Sequence, residues 1–453
     1  MTTDRTDLIM DAAARAAAYL RTAAHRPVWP TDAAVDALTG FPDALPDHGA
    51  PAAEVLERLD RLGSPATVVS NAGRYLGFVT GGTDPAAQAA AILSGAWDQN
   101  GAMPVMSPVA ARLDAVAADW CTRLLGLPET ATGAFCGGAT IANLTCILAA
   151  RDALLHRQGW SVDERGMAGA PALRVVTGEE VHVSALKALR AAGLGSRDTV
   201  LVPTDGCGRL IADQLPPLDD RTLVVLQAGN VNTGHSDPFG PVIAAAREAG
   251  AWVHVDGAFG LWAAAAPGRA GTVAGVDGAD SWATDLHKWL NVSYDSGLAV
   301  CARGDDLRRA LATDAAYVAS DAERVPMHLS LQMSQRARGI EAWAVIAARG
   351  RSGVAAMVEE CCAHAERLAA LLRRGGAEIA APVVLNQVLA RFGDDARTTR
   401  VIAAVQREGT TWAGGTVWKG RPAMRLSVSD QATTGADITA CAEAVLACMR
   451  RAA

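Results

Sequence analysis

Several short signatures are missing from this chain, and each absence removes a class of chemistry. No G-x-G-x-x-G and no G-x-x-x-x-G-K-[ST] occurs, so a dinucleotide fold and a P-loop both lack their phosphate cradle. His-Glu-x-x-His is absent too, and with it the helical zinc-hydrolase pattern. The nine cysteines are scattered from Cys121 to Cys448 with no C-x-x-C pair, which argues against a zinc site and, being odd in number, against a disulfide framework. They read as reduced thiols packed in a core. No apolar run is long and uninterrupted enough to span a bilayer, and Met1-Thr-Thr-Asp-Arg-Thr-Asp opens nothing like a secretory leader. Positive charge is in short supply as well: 41 Lys and Arg against 48 Asp and Glu leave a net −7. A nucleic-acid partner is therefore not expected, nor is a membrane, and the expected location is the cytoplasm.

What is present is the composition of a folded globular protein, half hydrophobic and one-fifth charged, in 453 residues that have room for more than one core. Residues 1–69 read as a helical arm, Ala-rich from Asp7 to Arg21 and again from Ala52 to Leu62, joined by a Pro-rich stretch from Pro27 to Pro51. Such an arm needs a surface to cover, and in an oligomer that surface is often a neighbouring protomer. Over 70–315, short apolar runs alternate with Ala-rich helical stretches. Leu173-Arg-Val-Val-Thr, Thr199-Val-Leu-Val-Pro, Thr222-Leu-Val-Val-Leu-Gln, Trp252-Val-His-Val-Asp and Gly297-Leu-Ala-Val-Cys are the strand candidates, with Val242 to Ala249 an intervening helix. This alternation predicts an α/β domain built on a mostly parallel sheet, whose ligands bind beyond the carboxyl ends of the strands. Residues 316–453 read as a smaller α+β domain entered through a polar stretch, Arg303 to Val325, and a helical run from Met333 to about Leu372.

Two segments carry the strongest chemical signal, Trp252-Val-His-Val-Asp-Gly-Ala-Phe-Gly and Asp280-Ser-Trp-Ala-Thr-Asp-Leu-His-Lys-Trp-Leu-Asn. Asp256 ends an apolar strand, where a carboxylate is costly to bury unless a cation meets it. The protonated nitrogen of a pyridine ring is such a cation, and the pairing keeps the ring electron-withdrawing. Lys288, between His287 and Trp289, has the semi-apolar setting in which a lysine loses its proton and acts as an amine nucleophile. Alone it reads as a surface lysine; paired with Asp256 it reads as the Schiff-base residue of a pyridoxal 5′-phosphate (PLP) enzyme.

With His-Val-Asp-Gly-Ala at 254–258, His-Lys-Trp at 287–289 and Gly229-Asn-Val-Asn-Thr-Gly before Asp237-Pro-Phe, the chain resembles the group II PLP-dependent amino-acid decarboxylases. That family has the aspartate-aminotransferase fold, fold type I, and includes aromatic amino-acid, glutamate and diaminobutyrate decarboxylases. The likeness runs from about Ser70 to the C-terminus. It implies that Lys288 forms the Schiff base, Asp256 binds the pyridine nitrogen, Ala258 packs on one ring face and His182 stacks on the other. It implies a phosphate cup at Cys136-Gly-Gly-Ala-Thr, with Ala139 and Thr140 at a helix start and His287 completing it, and a polar contact to the ring substituents from Asn230. Phe78 and Arg425 fall where the family places a pocket wall and a carboxylate-binding arginine.

The resemblance also implies a homodimer with active sites at the interface, and a mobile loop whose tyrosine, in the aromatic decarboxylases, protonates the carbanion. No tyrosine follows Tyr317, which makes His328 the nearest expected proton donor. The expected reaction is L-amino-acid decarboxylation. Its alternatives are another α-carbon reaction, such as carbon–carbon cleavage or aldehyde-forming oxidative decarboxylation, and a non-catalytic PLP-fold binding protein.

Overall fold

The computed structural model describes residues 4–313 and 324–452. Its centre is a seven-stranded sheet made of β1 (Thr132–Cys136), β2 (Arg174–Gly178), β3 (Thr199–Val202), β4 (Thr222–Gln227), β5 (Trp252–Asp256), β6 (Ser281–Asp285) and β7 (Gly297–Cys301). The spatial order is β1-β7-β6-β5-β4-β2-β3. From β6 through β3 every pairing is parallel, and β7 runs against both its neighbours. Strands β4 to β7 are buried along their whole length, which is why Thr222-Leu-Val-Val-Leu-Gln reads as a continuous apolar run instead of an alternating one. The helix Ala139–Arg157 packs across β6 and β7 and buries twelve of its side chains, among them Asn143, Cys146 and Leu154. All the cysteines are free thiols, and all but Cys207 are buried.

A second, antiparallel sheet holds β8 (Glu378–Ile379), β9 (Gln387–Arg391), β10 (Gly414–Trp418) and β11 (Arg421–Ser427) in the order β10-β11-β9-β8. It is flanked by the helices Asp395–Glu408 and Gly435–Arg451, the second closed by a Thr434/Asp437 capping box. The architecture is the α/β fold expected from the sequence, with a smaller α+β unit following the large sheet.

Two local expectations need correction. The helical run does not start at Met333 but at Gly339, and continues to Arg374 with a break at Gly350 (φ 62°). The residues before it are spoken for: Gln335 N–H donates to Asn100 Oδ1 at 3.2 Å and Arg336 bridges Asn100, so their backbone is held in extended form. The polar stretch from Arg303 also contains a helix, Gly304–Leu311, with Asp305 and Asp306 in its first turn and Arg308 and Arg309 in its last. That charge order complements the helix dipole. Residues 314–323 of the stretch assigned to proton delivery, Tyr317 included, lie outside the described residues.

Candidate active site

Three adjacent parallel strands, β4, β5 and β6, end on the same edge of the sheet, and their last residues or the turns just after them supply Gln227, Asp256 and Lys288. These line one cavity of about 250 Å³ together with His182, Ala258 and Arg425. Phe78 and Val79 reach it from the N-terminal side. A wider depression of about 940 Å³ lies around Arg209, His235 and Pro241, but none of the residues expected from the sequence lines it. Chemistry, not size, selects the smaller cavity.

Asp256 is 5 % exposed; its Oδ1 accepts the N–H of Ala258 at 3.2 Å, while Oδ2 is buried without a partner among the described residues. A buried carboxylate oxygen left free in this way costs folding energy unless a donor or cation meets it. Lys288 Nζ lies 2.9 Å from Oδ2 of Asp285, a buried residue that the sequence reading passed over. His182 caps the helix Val183–Ala191, its Nδ1 accepting the Ser184 N–H at 3.3 Å, which leaves the proton of the neutral ring on Nε2. Burial lowers the His182 pKa below its ordinary 6.5, against the pull of Asp256, so the ring is neutral at and above that pH. Burial likewise lowers His287, whose Nδ1 accepts the Ser296 N–H at 3.2 Å and whose ring packs on Tyr294 with centroids 4.4 Å apart.

Ala139 and Thr140 open the helix Ala139–Arg157, as a phosphate cup requires. Gly138 (φ 129°) makes the cup: a Cβ there would stand 3.1 Å from His287 Cε1 and 3.3 Å from Asp285 Oδ1. Asn230 is 1 % exposed; its Oδ1 is committed to the N–H groups of Asn232 and Thr233, and its Nδ2 is buried without a partner among the described residues. Its neighbours Gly229 and Val231 line the cavity, and it does not. Phe78 and Val79 both hold φ of 57°, costly for side-chain-bearing residues and a mark of a segment fixed by its surroundings. Trp412 does part of the fixing, stacking on Phe78 at 5.3 Å and on Tyr75 at 5.4 Å. Arg425, on β11, has its Nε buried without a partner, no carboxylate pairs with it among the described residues, and burial pulls its pKa down. His328 ends a one-turn helix, Pro326–His328, and is not among the cavity residues.

Residues 35–391 match the sequence profile of the pyridoxal-dependent decarboxylase conserved domain. The chain belongs to that family. Among curated relatives it is 23% identical to an aromatic-L-amino-acid decarboxylase of Bacillus atrophaeus over 364 residues, covering 77% of this chain and 74% of that one. It is 26% identical to a phenylacetaldehyde synthase of Petunia hybrida over 370 residues, 76% and 71% of the two chains. Among solved structures, Oryza sativa TDC with PLP and tryptamine superposes with a TM-score of 0.90 at 22% identity, over 100% of this chain and 99% of that one. Mouse CSAD gives 0.88 at 20% identity, over 98% of each. The protein is thus a PLP-dependent amino-acid decarboxylase of fold type I.

The decarboxylase presents the groups its cofactor needs. The free Oδ2 of Asp256 suits a protonated pyridine nitrogen, the amine of Lys288 suits an aldehyde, and the Gly138–Ala139 turn with His287 suits a phosphate. Asp285 was legible only as one more residue of the 280–291 segment, three positions before the lysine. Nothing in the sequence said that its carboxylate would meet the start of a helix 146 residues earlier.

Proposed function

We propose that this decarboxylase takes an L-amino acid with an apolar, aromatic-sized side chain and releases carbon dioxide and the corresponding amine. The observation that carries the reading is the meeting in one cavity of Lys288, Asp256 with its free oxygen, and Arg425 with its free Nε. The apolar remainder, Phe78, Val79, Val231 and Phe259, supports the choice of side chain, as does the relative named for aromatic L-amino acids.

In this reading Arg425 grips the α-carboxylate, His182 and Ala258 hold the ring plane between them, and His287 with Ala139 and Thr140 holds the phosphate. When bound, the cofactor draws off the electron pair left on the α-carbon as carbon dioxide departs. Proton return then falls to this chain. Tyr317 itself lies within the polar stretch from Arg303 to Val325, and His328 follows it. Because the resemblance gives proton return to a tyrosine of this stretch, we assign it to Tyr317 ahead of Lys288 and of His328, which is not among the cavity residues.

The test is a panel of L-amino acids with carbon dioxide, amine, aldehyde and ammonia all measured. Equal carbon dioxide and amine is the expected result; no carbon dioxide from any amino acid defeats the reading. Tyr317→Phe is expected to slow amine formation by roughly 100-fold, the ordinary worth of a positioned proton donor, and to raise the aldehyde fraction. Arg425→Gln is expected to raise KM roughly 10- to 100-fold with a smaller change in kcat, because a charge-assisted grip on carboxylate is lost.

A homodimer belongs to the same proposal. Exposed apolar side chains gather on the first helix (Ile9 41%, Met10 64%) and around the helix Pro85–Trp97 (Ile92 52%, Leu93 53%), more than an isolated surface helix usually leaves in water. Light scattering at the mass of two chains is the expected result.

A further inference from the structure

Asp285 touches three groups that the cofactor also needs. Its carboxylate is 3 % exposed and fixed from behind, since its own N–H donates to the Ala258 carbonyl at 2.9 Å and its carbonyl accepts the Trp262 indole N–H at 3.0 Å. Oδ1 accepts the N–H of Ala139, first residue of the helix Ala139–Arg157, and stands 3.6 Å from His287 Nε2. Oδ2 lies 2.9 Å from Lys288 Nζ. A phosphate offered to that helix start therefore meets a negative neighbour, and the lysine must leave a buried ion pair to reach an aldehyde carbon. Burial keeps both effects from being screened by water and salt.

We propose that Asp285 is a positioning residue that gives Lys288 a second berth, opposing capture of the cofactor and promoting release of the lysine when an incoming amine takes its place. The inference rests on the reading of Lys288 as the anchoring lysine. In the exchange, the bond from the incoming nitrogen to the cofactor's aldehyde carbon forms as the bond from the lysine nitrogen breaks. The two protons shed by the incoming ammonium end on the lysine nitrogen, which leaves as ammonium, and no oxidant or reductant takes part. A lysine freed as ammonium in a water-poor site needs a counter-ion, and Asp285 stands at hydrogen-bond distance to supply it. Asp256, the carboxylate on the cavity lining, is taken by the ring nitrogen in this reading and leaves this task to Asp285.

Asp285→Asn tests the idea, because the amide keeps an oxygen for the Ala139 N–H while the charge goes; its melting temperature reports whether the helix start survives. Apoenzyme of the variant is expected to bind pyridoxine 5′-phosphate, which has no aldehyde, about tenfold tighter than wild type and to develop the yellow absorbance with PLP about tenfold faster. Hydroxylamine added to the holoenzyme is expected to displace Lys288 about tenfold more slowly. Capture and release thus move in opposite directions, whereas a damaged site weakens or slows both. Parallel changes, or none, overturn the proposal. Wild-type protein that never turns yellow with PLP, and whose Lys288 borohydride fails to label, overturns it together with the lysine assignment; a yellow wild type with an indifferent variant overturns this inference alone.

Discussion

Lys288→Ala is expected to lower turnover by at least about a thousandfold while leaving weak, non-covalent PLP binding in place. Among the described residues it is the one amine on the cavity lining, so none of them can take over its bond to the aldehyde. Its Nζ is held at 2.9 Å from Asp285 by a backbone anchored in the sheet edge, a placement that free amine in solution cannot reproduce. Steady-state kinetics give the loss, and mass spectrometry after borohydride reduction gives the second readout: wild type gains the cofactor's mass on Lys288 and the variant gains none. Turnover unchanged in the variant would remove the lysine from the mechanism.

The second large effect is expected at Asp256. Asp256→Asn should reduce kcat by roughly 100- to 10,000-fold, because a neutral amide no longer favours the protonated ring and the ring draws electrons less strongly. The same substitution should raise the melting temperature of the apoenzyme, since Oδ2 of Asp256 is buried without a partner among the described residues. Function falling while apoenzyme stability rises separates an electronic role from simple damage. A variant that loses both would mean that the turn itself needs the carboxylate, beyond the acceptor that the amide keeps for the Ala258 N–H.

The sequence made some of this legible and hid the rest for definable reasons. Strands β4 and β5 were readable because branched residues fill positions buried on both faces. Strands β1, Thr132-Gly-Ala-Phe-Cys, and β6, Ser281-Trp-Ala-Thr-Asp, were not, because small and polar residues dominate them. Their extended form is decided by pairing with β7 on its two sides, a tertiary effect that overrides local preference. Asp256 and Lys288 were readable as a pair because a strand end fixes the first and a short spacing links the second to a known chemistry. Asp285 was hidden because its meaning depends on Ala139, far away in the chain. The late start of the helix Gly339–Arg374 was hidden for a similar reason, its leading residues being held by Asn100.

One more consequence follows from where the cavity draws its walls. Phe78 comes from one end of the chain and Arg425 from the other, with the anchoring lysine between them. A ribosome must therefore deliver most of the polypeptide before the last wall exists. Substrate competence is accordingly a late event in biogenesis, one that waits for synthesis of the small sheet, whereas every residue assigned to the vitamin has been made once Lys288 is added.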